Sequence, residues 1–172
     1  LQQSWRAPEQ TFYFRQVLPI LSHSFTLGVS GNAARQLTRE ITDKNYYQVP
    51  KDIFKDNTFL RMVFAPVHSA TETIDYVAAI LDLLMDKAAQ DIAKEKEAAA
   101  DEKGQYYLSI GEEDDVPHSD TILFSDTDYE FLYHYRKTLQ QLDREVKKHS
   151  FEFTPKTLFL LLEKLVAGVS DL

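Results

Sequence analysis

Apolar residues recur along most of this chain every three or four positions, the period at which side chains line one face of an α-helix. Phe14, Val17, Leu18 and Leu21 hold that spacing and predict a helix from Thr11 to Leu27. Pro19, which donates no amide hydrogen, should kink or split it, and Gly28 reads as its stop. Ser30 or Asn32 caps a second helix running through Lys44, with Ala33, Leu37 and Ile41 on its apolar stripe. Tyr46, Tyr47, Gln48 and Val49 should then run extended into Pro50, because a residue before proline avoids helical angles. Short helices are expected from Pro50 to Asp56 and from Thr58 to Ala65, the latter ended by Pro66.

The next start is marked by Ser69 and Glu72 at capping-box spacing. Ile74, Val77, Ala78, Leu81, Leu84, Met85 and Ala88 follow on one stripe, after which the helix turns polar. Residues 89–103 keep helix-forming alanines but offer only Ile92 as a large apolar side chain, and so read as a polar helical extension. From Ala70 to Lys103 such a helix spans about 50 Å, against roughly 40 Å across a compact domain of this size. Gln105–Ile110 and Thr121–Phe124, rich in aromatic and β-branched residues, predict a hairpin around an acidic loop at 111–120. Asp126 or Ser125 caps a long helix to His149 with Leu132, Tyr135, Leu139, Leu142 and Val146 on its stripe. Thr154 and Pro155 open a last helix, apolar almost all round from Leu158 to Val169, which places it centrally in the bundle.

The expected architecture is mainly α: a bundle of about five to seven helices with one small β-hairpin. No repeat and no Gly/Ser/Pro linker divides the chain, so residues 1–172 read as a single domain. A start at Leu1 without a signal-like pattern reads as a fragment of a longer protein. At 172 residues, 44% of them apolar, the chain can bury a real core, and no apolar run is long enough to span a bilayer. The absence of cysteine excludes disulfides and thiolate metal sites and favours a reducing interior, cytosol or nucleus.

Charge changes the picture more by its place than by its total of -8. Between Gly104 and Tyr135 there is no Lys or Arg, while Glu112, Glu113, Asp114, Asp115, Asp120, Asp126, Asp128 and Glu130 supply eight acids. The remaining 19 acids balance 19 bases, a balance that disfavours broad nucleic-acid binding, which needs a basic face.

Catalytic and metal patterns are weak. Gly28-Val-Ser-Gly-Asn matches neither a phosphate loop nor a nucleophile elbow and reads as a turn between helices. Asp126-Thr-Asp-Tyr-Glu lacks the glycine and distal glutamate of an EF-hand loop; these acids complement a helix N-terminus, as Arg144, Lys147 and Lys148 complement its end. His23, His68, His118, His134 and His149 show no paired-ligand spacing, so no metal and no cofactor is expected.

By elimination, and by its long polar half-helix, acidic loop and surplus of Tyr and Phe, the sequence reads as a protein-interaction or scaffolding domain of a larger intracellular protein. Tyr106, Tyr107, Tyr133 and Tyr135 are the expected contact anchors, and Glu112, Glu113, Asp114 and Asp115 the group that steers a partner with a basic segment. Two other readings stand beside it. Arg144 and His149 form Arg-x4-His, which resembles the spacing of HEPN-type helical ribonucleases; the resemblance implies metal-independent RNA cleavage with both side chains on the scissile phosphate. A bundle could instead enclose a small apolar ligand between its helices.

Overall fold

The computed structural model describes residues 11–105, 122–149 and 153–170 and is mainly helical. A short strand β1 (Thr11–Tyr13) leads into α1 (Phe14–Leu21) and α2 (Ser24–Asp43). Strand β2 (Gln48–Pro50), a 3-10 turn (Lys51–Phe54) and α3 (Thr58–Val63) follow. Three more helices follow: α4 (Ala70–Gln105), α5 (Asp126–His149) and α6 (Pro155–Ser170). Among the described residues, none of these helices is long and apolar enough to cross a membrane.

The small sheet lies elsewhere than expected. β1 and β2 pair antiparallel, with Thr11 opposite Pro50, Phe12 opposite Val49 and Tyr13 opposite Gln48. Residues read as the first turn of a helix are therefore extended, because the Gln48–Pro50 segment gives their backbone a ladder partner. The pairing drives Phe12 and Val49 inward, where Phe12 meets Phe64 edge-on at 5.2 Å and Phe54 stacks on Phe64 at 3.9 Å. Asn45 turns the chain into β2 with a φ of 50°, a left-handed conformation that Asn tolerates better than most residues. Of the hairpin expected over 105–124, Gln105 is the last residue of α4, residues 122–124 carry no strand, and 106–121 lie outside the described residues.

Pro19 is accommodated inside α1, and the break comes after Leu21. His23 restarts the chain as an N-cap, its Nδ1 accepting from the Phe25 amide at 3.2 Å. Gly28 is itself helical and buried; the break expected there falls two residues later, at Ser30, whose non-helical angles kink α2 before it continues to Asp43. The Ser30 hydroxyl there donates to Asn57 Oδ1 at 3.1 Å, and the same oxygen caps α3 by accepting the Leu60 amide at 2.9 Å.

α4 begins as a capping box shifted by one residue: Ser69 Oγ accepts the Glu72 amide at 3.1 Å, while the Glu72 carboxylate accepts from His68 N at 2.9 Å. α5 runs back antiparallel along α4, tied by Arg136 to Asp82 through two bonds of 2.7 and 3.2 Å. Thr154 caps α6, accepting from Thr157 N at 3.2 Å. α6 is peripheral, correcting its expected central place: it packs on α5 and α4 through Leu158 and Leu162, while Leu160 and Leu165 are 51% and 44% exposed. The centre is formed instead by α4 and α5, through Leu81, Leu84, Leu132 and Leu139.

Candidate interaction surface

The polar half of α4 contains the residue that organises this surface. Asp91 belongs to the stretch 89–103 that reads as a polar helical extension, yet it is 1% exposed. Its carboxylate forms an ion pair with Lys87 one turn earlier and accepts the backbone N–H of Phe124 at 3.3 Å. A buried carboxylate is tolerable only when its oxygens are paired and hydrogen-bonded, and both conditions hold here. The bond fixes the segment entering α5 against α4. Beyond it, residues 93–98 are all exposed, and Lys96 reaches Asp126 only at 4.0 Å.

Phe124 is thereby pinned from several sides. Its ring stacks on Phe25 at 5.5 Å and has the Lys87 ammonium 5.9 Å from its centroid. On α2 it lies directly against Gly28, where a Cβ would stand 2.5 Å from Phe124 Cε2. The glycine is thus required for close approach of a side chain from a distant part of the chain. Ser125 then caps α5 by a reciprocal pair: its Oγ accepts the Asp128 amide at 3.2 Å, and the Asp128 carboxylate accepts from Ser125 N at 2.9 Å and Oγ at 2.7 Å.

Beside the pinned ring, with Phe25 on one side and the Lys87 ammonium on another, apolar side chains are left exposed. Ile122, Leu123 and Phe131 are 36%, 56% and 47% exposed, and Phe131 approaches half-buried Phe25 at 6.4 Å and half-buried Tyr135 at 6.2 Å. Seven large apolar side chains stand exposed among the described residues; Ile122, Leu123 and Phe131 are three of them, while exposed Tyr133, two residues after Phe131 on α5, faces away from it.

The expected site residues separate into three groups. Tyr106, Tyr107, Glu112, Glu113, Asp114 and Asp115 lie outside the described residues. Tyr133 is exposed, while Tyr135 is half-buried against the core, and burial raises its hydroxyl pKa above the ordinary tyrosine value. Two residues apart on one helix, they point about 200° apart and so do not share a face. Arg144 is exposed with Nε donating to the Gln140 carbonyl at 3.4 Å, and the His149 side chain lies outside those described. Phe25, Gly28, Asp91 and Phe124 were not anticipated, and no local pattern could have grouped them. Among the described residues no cluster of three or more His, Asp and Glu side chains could hold a metal ion. Comparison of the chain with protein families, with curated proteins and with solved structures finds no match.

Proposed function

We propose that this chain is a protein-interaction or scaffolding domain whose contact surface is the apolar patch at the α2/α5 junction. The carrying observation is that Ile122, Leu123 and Phe131 remain exposed beside a ring, Phe124, that is held down by a buried carboxylate and a glycine contact. Among the described residues polar chemistry for catalysis does not converge there: Lys87 is paired with Asp91, which also holds the backbone of the same segment. The absence of cysteine from all 172 residues fits a reducing cytosol or nucleus as the place of work.

The test is comparative. The unaltered chain and a Leu123→Ser/Phe131→Ser variant, matched for helical content by circular dichroism, are used to capture partners from an extract of cells that make the protein. Specific partners retained by the first should be lost from the second. An identical set of captured proteins, or none specific to the unaltered chain, refutes the reading.

A further inference from the structure

We infer that the occupant of this patch is a short, basic amphipathic segment of another protein, which lays an apolar helical face over Leu123 and Phe131 and places lysines or arginines over the acids beside them. The inference rests on the interaction reading above and adds the partner's chemistry. Two observations lead to it. The first is size: three half-exposed side chains with the rims of Phe25 and Tyr135 amount to a few hundred Å² of apolar surface, whereas a stable pair of folded domains covers about 800 Å² on each partner. A patch of that extent suits a peptide with anchors at i, i+3 and i+4 rather than a second globular surface.

The second observation is charge. From Ile122 to Tyr135 the described chain carries Asp126, Asp128 and Glu130 and no Lys or Arg. Asp128 is committed to Ser125, but Glu130 is exposed, and Asp126 is 75% exposed with Lys96 only at 4.0 Å. Both acids are on the first turns of the helix that carries Phe131, so a ligand seated on that ring lies within a Debye length, about 8 Å, of their field. The same field repels nucleic acid and an anionic membrane surface. It also opposes a second copy of this acidic chain, whose own patch carries the same acids. Only a segment joining apolar anchors to positive charge gains from both features.

The probe is a synthetic amphipathic Leu/Lys helix, with a Leu/Glu counterpart and a Lys peptide lacking the leucines as controls. Binding is followed by fluorescence anisotropy, and contacts are mapped by amide chemical-shift changes. The Leu/Lys peptide should bind and shift the amides of residues 122–131, and both controls should bind at least about tenfold more weakly. Phe131→Ser should weaken it about tenfold, and Asp126→Asn/Glu130→Gln severalfold at low salt with a flattened salt dependence. Because Phe131 is half-exposed, the serine variant should keep its fold; Phe131→Leu, expected to retain most of the binding, guards against misreading a folding defect. Shifts that map elsewhere, equal binding of the Leu/Glu peptide, dimerisation abolished by Phe131→Ser, or uptake by phosphatidylcholine vesicles in preference to the peptide would each overturn the inference. If the double serine variant still loses its cellular partners while the Leu/Lys peptide fails to bind, the interaction reading survives and the basic segment does not.

Discussion

Replacing Asp91 by alanine should weaken the fold far more than its place in a run of charged residues implies. The substitution removes the acceptor of the Phe124 N–H, a buried group for which lost pairing costs about 1–3 kcal/mol. It also leaves Lys87 without its carboxylate. Breaking a fully buried pair costs about 3–5 kcal/mol, but the Lys87 side chain is 25% exposed and can turn its ammonium to water, which discounts that share heavily. A net loss of about 2–4 kcal/mol follows, a sizeable part of the 5–15 kcal/mol that roughly bounds domain stability. Asp91→Asn, which keeps an acceptor oxygen, should lose less. Gly28→Ala acts on the same ring from the other side. Its methyl would press on Phe124 at 2.5 Å, costing about 1–3 kcal/mol, while the helix gains about 1 kcal/mol from losing a glycine. Urea unfolding followed by circular dichroism measures each variant, with the slope checked for constancy. The double variant should lose less than the sum of the two single losses, since a displaced Phe124 cannot be displaced twice. An Asp91→Ala loss below about 0.5 kcal/mol, or full additivity, would refute the pinning argument.

Other expectations test separate parts of the molecule. Burial raises the hydroxyl pKa values of Tyr76 and Tyr135, so the folded state holds those protons more tightly than the unfolded chain. Their contribution is complete below the unfolded tyrosine pKa of about 10 and is lost as pH rises through the folded values; Tyr76→Phe, measured by urea unfolding at several alkaline pH values, should flatten that decline, although it forfeits the 2.6 Å bond from Tyr76 Oη to the Val63 carbonyl. Leu158→Ala should cost about 2–5 kcal/mol and Leu160→Ser under about 0.5 kcal/mol in thermal unfolding; similar losses would contradict the peripheral placement of α6. Replacing Glu112, Glu113, Asp114 and Asp115 with Ser or Asn should slow association with the partner and reduce its salt dependence, read by stopped-flow kinetics; unchanged rates would remove their steering role.

What the sequence disclosed and what it hid divide along the range of the interactions concerned. Caps are local, and Ser69, Ser125 and Thr154 mark the starts of α4, α5 and α6 as their side-chain chemistry requires. The stripes of α4 and α5 are equally legible, because Leu81, Leu84, Leu132 and Leu139 face a core whatever that core contains. Errors arose where a partner far along the chain overrides local preference. Thr11–Tyr13 has helical neighbours but pairs with Gln48–Pro50, and Gly28 looks like punctuation but is the floor under Phe124. α6 differs for a related reason: apolar residues on every face predict burial on every face, yet only Leu158 and Leu162 find complete cover among the described residues. Asp91 is the clearest case, since nothing adjacent separates it from the exposed Glu95 or Glu97. Its distinction lies in a single amide donated from beyond the acidic stretch.

Under the proposed interaction role, the position of that amide bears on partner binding as well as on stability. A segment free to move would relieve the exposure of Ile122 and Leu123 by folding them onto the nearest apolar surface. The bond from Phe124 N to Asp91, the contact with Gly28 and the Ser125 cap together fix the backbone immediately after those residues and prevent such a collapse. Holding contact groups rigid before binding reduces the ordering cost of association, about 0.5–1.5 kcal/mol for each side chain that would otherwise be immobilised. The buried carboxylate is therefore best understood with the patch it precedes. An apolar residue at position 91 leaves the Phe124 amide unpaired, so Asp91→Leu should lose both stability and the hold on Leu123. Asp91→Asn, which keeps an acceptor oxygen, should retain most of both; equal partner binding by the two variants would refute the link between this carboxylate and the patch.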